Sequence, residues 1–183
     1  MAKTFAKAAM LAVNPNDPFL GLVAEEWPEG ASQSYPDGSP VVVTSGYIVA
    51  AATTNPTSIW GLSSGAAHNT TAGAYQQKVI PLVAGMVLEA NLMNDAAGAD
   101  GTLATTDLGT KYDINYGANF LGTGKKGWFF SKTTGGVSIR IYSFKSTTVT
   151  PNSTEMLALS GDTNARVRGA FLAVASQIQN SSL

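Results

Sequence analysis

The sequence predicts an all-β fold, a small barrel or sandwich of short antiparallel strands that carries an N-terminal arm. Three observations support this. β-Branched and aromatic residues recur in short runs, turn-forming residues separate these runs, and helical patterns occur only near the chain ends and around residues 104–110. Because the chain has 183 residues, it is long enough to bury a core in one domain.

The first 18 residues are predicted to be an arm, and residues 19–183 a single β domain. Apolar spacing over residues 4–13 favours a short helix, and Pro15 and Pro18 separate it from the domain because proline biases the preceding residue towards extended backbone. Such terminal segments often become ordered when they dock. We therefore expect the arm to add little to the fold and to bring four large apolar side chains to a partner: Phe5, Met10, Leu11 and Val13.

Several runs in the domain are predicted to be strands. Residues 41–44 and 47–51 flank Ser45-Gly46, which indicates a hairpin or a bulged strand. Residues 86–93 alternate as a half-buried strand does, and residues 137–144 form the clearest strand pattern of the chain.

The remaining segments complete this outline. Pro81 cannot donate a ladder hydrogen bond, so residues 78–83 are predicted to be an edge strand or a strand end. Residues 94–110 are predicted to be a long loop with a helical turn near Thr106. Residues 128–130 are predicted to be a strand, and residues 133–136 are predicted to be the hairpin turn that joins it to the next strand. Residues 165–174 are predicted to be the last strand.

The charge composition limits the classes of partner. Charged residues make up 13% of the chain, about half of the ~25% usual in soluble domains. The net charge of −1 predicts no attraction to nucleic acid or to an anionic membrane, and no apolar stretch is long enough to span a bilayer. A surface so poor in charge is either rich in hydroxyl groups or covered by other protein subunits.

The sequence offers no set of residues that would catalyse a reaction. It contains one histidine, His68, and no cysteine, which excludes thiolate chemistry and leaves a serine nucleophile only His68 as a base. The Gly-rich residues 122–127 lack phosphate-loop spacing and precede a strand, so a hairpin turn is favoured. We therefore expect no catalytic residue, no cofactor and no metal site, with weak calcium binding by residues 95–101 as the alternative.

Arg166 and Arg168 are a further pair of candidate binding residues. They lie two positions apart in the last predicted strand, so their side chains point to the same face of the sheet. Since arginine is enriched at protein interfaces, the pair is a candidate contact for a partner subunit. The alternative is a strand face exposed to solvent. The three tryptophans, Trp27, Trp60 and Trp128, are either core residues or a platform for a sugar.

The order of segments resembles that of capsid decoration, or cement, proteins of tailed bacteriophages. An apolar arm precedes a Pro-Asp-Gly-Ser-Pro turn at residues 36–40, followed by a Val-rich strand and the segments at residues 45–49 and 56–63. Residues 127–132 and 161–171 continue the resemblance, which covers residues 35–65 and 125–175.

The resemblance implies an all-β subunit, typically a homotrimer, on the outer surface of a mature phage head. There it would bridge copies of the major capsid protein and hold the expanded shell against the pressure of the packaged DNA, with no cofactor. The competing hypothesis is a carbohydrate- or receptor-binding β module of a virion or cell surface. The arm favours the decoration protein.

Overall fold

The computed structural model describes residues 11–13, 22–68, 70–94, 99, 101–120, 125–132, 136, 138–146, 156–157, 161–162 and 165–180. Within these ranges, strands are the dominant element. They are β1 (Leu11–Val13), β2 (Glu25–Pro28), β3 (Pro40–Thr44), β4 (Tyr47–Ala50), β5 (Gly61–Ser63), β6 (Gln76–Pro81), β7 (Val87–Met93), β8 (Lys111–Phe120), β9 (Lys125–Ser131), β10 (Ile139–Ser143), β11 (Lys145–Ser146), β12 (Met156–Leu157) and β13 (Arg166–Phe171). Among the described residues, helical structure is confined to two 3-10 turns, Thr105–Asp107 and Ala173–Ala175, and the α-helix α1 (Gln177–Asn180).

The predicted all-β fold is therefore confirmed. Two sheets build the body, in the strand orders β1-β7-β13-β10-β8-β9 and β2-β6-β5-β3-β4, and β11 and β12 form a separate pair. A shared core joins the two sheets, because Ile59, Leu62 and Leu82 from the smaller sheet and its flanks pack with residues of the larger one. The packing is that of a small sandwich.

The larger sheet also curls into a ring. Its strand β7 pairs with β13 along one edge and, in parallel, with β9 along the other. Five strands, β7, β13, β10, β8 and β9, thereby close on themselves. Side chains that alternate along these strands, such as Ile139 and Ile141 on β10, are buried in the main core.

The smaller sheet has its own core and nearly closes as well. Val41, Ile48, Val79 and Tyr35 form that core. The two outer strands, β2 and β4, meet where Glu29 bridges Ile48, and the Gly30 N–H donates to the Ile48 carbonyl over 2.8 Å.

The predicted hairpin at Ser45-Gly46 joins β3 to β4. Both turn residues have positive φ, 52° for Ser45 and 81° for Gly46. Two consecutive left-handed residues give the turn a twist that matches that of the flanking strands. The hairpin pairs Val42 with Val49 in a regular antiparallel register.

One end of the predicted long loop is fastened to the larger sheet. Asp107 lies in the 3-10 turn, and its carboxylate accepts hydrogen bonds from the Ala104 N–H over 2.8 Å, Lys132 Nζ over 2.9 Å and the Tyr112 hydroxyl over 2.5 Å. Burial, together with the Asp107 carboxylate, raises the pKa of Tyr112. The helical turn predicted near Thr106 is confirmed.

Three details of the predicted strand layout are wrong. Residues 11–13 are a strand instead of the end of a helix, and β7 is buried along its whole length instead of on one face. The hairpin predicted after residue 130 does not form, because β8 lies between β9 and β10. β7 is buried along its whole length because side chains pack against both faces of the larger sheet at this strand.

Candidate interface on the larger sheet

Strand β1 occupies a gap along the edge of β7. In the described part of the chain, β7 pairs with β9 at Leu92 and Met93, so this pairing lies beyond residues 87–89 of the same edge. β1 fills the gap in antiparallel register, with Leu11 opposite Glu89, Ala12 opposite Leu88 and Val13 opposite Val87. The edge position at residues 87–89, which we call the β7 edge, is therefore completed by the predicted arm.

The acceptor residues of the β7 edge are buried, and Ala12 of β1 packs against the main core. An unfilled edge would leave those backbone N–H and C=O groups that point towards β1 without a ladder partner. Residues 11–13 thus belong to the folded body. Phe5 and Met10, the other two arm residues predicted to bind a partner, lie outside the described residues.

An apolar surface adjoins the Val87 end of the β7 edge. A depression of about 280 Å³ opens there, and Tyr142 on its rim is 44% exposed. In the turn at residues 83–86, the Gly85 N–H donates to the Phe171 carbonyl at the end of β13 over 2.9 Å. Val83 and the 55% exposed Val174 therefore lie at the same end of the sheet. We call this region the Tyr142 surface; its residues are Gly85, Val87, Tyr142 and Ala170.

The Tyr142 surface was not found from the sequence. Its residues come from β7, β10 and β13 and from the turn that precedes β7, and only the pairing of these strands brings them together. The alternation along β10 carried one signal, since Ile139 and Ile141 face the core and Tyr142 must then share the opposite face with Arg140. An exposed aromatic side chain becomes a candidate contact site where it adjoins other apolar groups, as Tyr142 does at the depression.

Arg166 and Arg168 do share one face of β13, as predicted, but neither is available as a surface contact. Their exposed fractions are 2% and 7%, and both guanidinium groups approach the fully buried Glu89 on β7. The Arg166 Nε–H donates to Glu89 Oε1 over 2.9 Å, and its Nη2 donates to the Glu89 carbonyl over 2.9 Å. The interpretation of this pair as an exposed interface is corrected: the two arginines neutralise a buried carboxylate.

The charge state of Arg166 reflects two opposing effects. Burial lowers the pKa of its guanidinium, and the adjacent Glu89 carboxylate acts in the other direction. Because arginine normally titrates far above neutral pH, the side chain stays charged and the ion pair persists. β7 is thus held by β13 through both backbone pairing and this ion pair, and its other edge remains for β1.

His68, the single histidine, is used within the smaller sheet. Its backbone N–H and its Nδ1 lie 3.1 Å and 3.0 Å from the carboxylate oxygens of the buried Glu29. Its ring stacks on that of Tyr75, with centroids 3.3 Å apart. The negative charge of Glu29 also contributes to the raised pKa of Tyr35, although burial is the larger cause. His68 is therefore held by its neighbours, and its side chain stays 33% exposed.

The tryptophans pack within the two cores or against them. Trp128 is buried in the main core, and its Nε1–H donates to Ser39 Oγ over 2.9 Å. Trp27 and Trp60 meet edge to face, with centroids 4.9 Å apart, and pack against the smaller core. The core interpretation predicted for Trp128 is confirmed, and Trp27 and Trp60 are only partly buried.

Two other kinds of site are absent from the described residues. No group of three or more His, Cys, Asp or Glu side chains lies close enough together there to hold a metal ion. The described part of the chain likewise contains no helix with the length and hydropathy needed to cross a membrane.

Comparison with known proteins yields no relative. No protein-family model, no curated protein sequence and no solved structure matches the chain significantly.

Proposed function

We propose that this chain is a structural virion protein of a tailed bacteriophage, a decoration protein that binds the outer surface of the mature capsid. It stabilises the shell by bridging subunits of the major capsid protein, and it acts as a homotrimer without a cofactor and without catalysis. The proposal builds on the order of segments that resembles decoration proteins. It places the protein on the virion after synthesis in the host cytoplasm.

One structural observation carries the proposal, namely the apolar Tyr142 surface on a chain with few charges. Tyr142 is 44% exposed on the rim of a depression about 280 Å³ in volume, which Gly85, Val87 and Ala170 also line. Large apolar side chains grouped on a surface favour contact with another protein.

Sedimentation with phage heads tests the proposal. The purified chain is mixed with expanded heads that lack it and with unexpanded proheads, and the pelleted fraction is measured. We expect saturable binding to expanded heads. Tyr142→Asp should weaken this binding at least about tenfold, or about 1.4 kcal/mol, whereas Arg140→Ala, at an exposed position on the same strand and face, should not. Absence of binding to any expanded head would contradict the proposal.

A carbohydrate- or receptor-binding module is the second candidate, favoured by a different surface. Tyr75 and Tyr47 are exposed, and Tyr75 stacks on His68. The Tyr47 ring lies against Gly73, where an added Cβ would be 3.4 Å from it. Exposed aromatic rings of this kind suit contact with the apolar faces of sugars. A glycan-array screen distinguishes the two candidates: glycan binding lost in Tyr75→Ala supports the module, and an empty array together with head binding supports the decoration protein.

A further inference from the structure

We propose that the segment at residues 175–177, which we call the C-terminal strap, seals the edge of β3 against pairing with a strand from another chain. The Gln177 side chain forms the seal at Val43. The proposal concerns the smaller sheet. It goes beyond the proposed function, because it depends neither on capsid binding nor on the Tyr142 surface.

The edge of β3 extends beyond its pairing with β5. Among the described residues, β5 pairs with β3 at Pro40 and Val41, whereas β4 pairs with the opposite edge of β3 as far as Thr44. The N–H and C=O groups of Val43 both form hydrogen bonds with Gln177, so they point away from β4. Backbone groups at such an edge are a template for pairing with another chain.

The Gln177 side chain satisfies this edge as a neighbouring strand would. The Val43 N–H donates to Gln177 Oε1 over 2.8 Å, and Gln177 Nε2 donates to the Val43 carbonyl over 2.8 Å. A side-chain amide has both a carbonyl acceptor and N–H donors, so one glutamine replaces the two hydrogen bonds that a residue of a paired strand would make. Unlike a strand, the side chain presents no second row of backbone groups. The ladder therefore ends at Gln177.

The backbone of the C-terminal strap fixes the position of this side chain. Ile59 and Ser176 form a parallel bridge. Within it, the Ile59 N–H donates to the Ala175 carbonyl and the Gln177 N–H donates to the Ile59 carbonyl, each over 2.8 Å. The buried Ser176 hydroxyl also donates to the Leu82 carbonyl over 3.0 Å. Because the backbone is held on both sides of Ser176, the Gln177 amide loses little conformational entropy when it binds β3.

The outer edge of β4 is covered in a similar way by a second glutamine. The Ala50 N–H donates to Gln33 Oε1 over 2.9 Å, next to the Gly30 N–H that donates to the Ile48 carbonyl over 2.8 Å. A glutamine side chain therefore lies at each edge of the β3–β4 hairpin. Folded proteins cover strand edges because uncovered edges pair with other chains. This second contact supports protection from pairing as the role of Gln177.

The test compares two substitutions at Gln177 in the full-length chain. Gln177→Ala removes both hydrogen bonds to Val43 and leaves the edge uncovered and uncharged. Gln177→Glu removes the donor, retains an acceptor and places a charge at the edge, where charge blocks strand pairing. Both variants lose a contact with Val43, so lower stability by itself would affect both of them.

Sedimentation velocity at several concentrations measures the size of each variant relative to the wild type. We expect Gln177→Ala to form larger species whose fraction rises with concentration, and Gln177→Glu to keep the wild-type size. Wild-type size for Gln177→Ala overturns the proposal. Association of Gln177→Glu to the same extent also overturns it, because the cause would then be lost stability.

The matched control is Gln76→Ala. Gln76 is an exposed glutamine on β6 and stands opposite Pro28 in the β2–β6 pairing. We expect this variant to keep the wild-type size. Association equal to that of Gln177→Ala would show that loss of any glutamine side chain has this effect, and it would contradict a specific role for Gln177.

Hydrogen exchange of the unmodified chain completes the test, because it needs no variant to fold. We expect the Val43 amide to be protected from exchange to within about tenfold of the Trp60 amide, which donates to the Val41 carbonyl over 2.8 Å. Exchange of the Val43 amide at the rate of an unstructured peptide would show that the edge is open, and the proposed seal would be wrong. Neither result bears on capsid binding, so the two proposals fail separately.

Discussion

Arg166 on β13 donates hydrogen bonds to Glu89 on β7 through two separate nitrogens. Its Nε reaches the Oε1 carboxylate oxygen over 2.9 Å, while Nη2 reaches the backbone carbonyl of the same residue over 2.9 Å. A third nitrogen, Nη1, lies 3.3 Å from the side-chain oxygen of Asn91. This pairing binds two neighbouring strands at the position where β1 completes the sheet.

Removing this pairing should destabilise the protein strongly. We expect Arg166→Met to lower the free energy of unfolding by about 3–5 kcal/mol, because the buried Glu89 loses its best partner. Arg166→Lys should recover only part of the loss, since a single ammonium group cannot reach all three acceptors. Chemical denaturation followed by circular dichroism measures both effects. Arg140→Met, at an exposed position on β10, is the control and should change stability by less than about 0.5 kcal/mol. Equal losses for the two Met variants would contradict the role assigned to Arg166.

His68 should stabilise the smaller sheet through Glu29. In His68→Ala the backbone N–H still reaches the carboxylate, but the Nδ1 contact at 3.0 Å is lost. We expect a loss of about 1–3 kcal/mol in the free energy of unfolding, since a buried carboxylate loses one hydrogen-bond donor. A double-mutant cycle with Glu29→Gln measures the coupling. Strictly additive effects would show that the two side chains do not interact.

Tyr112 should make the protein sensitive to high pH. Burial and the Asp107 carboxylate raise its pKa in the folded state, whereas in the unfolded chain it ionises near its ordinary value of about 10. The raised pKa of Tyr112 therefore contributes fully to the free energy of unfolding below about pH 10, and this contribution is lost as the pH rises towards the folded-state pKa. Tyr112→Phe should be less stable at pH 8 but should lose less stability between about pH 9 and 11. Denaturation experiments at several pH values measure this, and parallel pH profiles of the free energy of unfolding for Tyr112→Phe and the wild type would contradict it. Tyr35 and Tyr116, whose pKa values are also raised, account for the slope that remains in the variant.

The fold should not depend on a metal ion. The chain has one histidine and no cysteine, and its described residues contain no cluster of three potential ligands. We expect the thermal midpoint to be the same in chelator and in millimolar calcium. A difference of more than about 5 °C, which corresponds to more than about 1 kcal/mol for a chain of this size, would reveal a site in the loop at residues 94–110.

The sequence predicted the fold class because short runs of β-branched and aromatic residues dominate it. The hairpin at Ser45-Gly46 was predictable for a local reason: two turn residues join two clear strands, and no distant contact is needed. By contrast, β8 was missed, although at ten residues it is the longest strand of those described. Its run includes Asp113, Asn115 and Gly117, which are depleted in strands, and packing on both faces of the sheet overrides that preference.

The candidate interface was less predictable than the fold. Periodicity placed Arg166 and Arg168 on one face of a strand, but it carried no information about Glu89, which is 77 and 79 residues away along the chain. The arginines were therefore interpreted as candidates for surface contact. The Tyr142 surface depends in the same way on the pairing of β10, β13 and β7. Such long-range pairing is set by the whole core and cannot be inferred from local patterns.

The most direct test of the account is the stability of the phage head itself. DNA-filled heads that lack the protein are heated with and without saturating purified chain, and DNA release is followed with a dye that the intact shell excludes. A decoration protein that binds the mature shell should raise the temperature of DNA release, because ligand binding stabilises the state to which it binds. Tyr142→Asp should produce a smaller increase at the same concentration. An unchanged release temperature at saturating wild-type protein would contradict the proposed function.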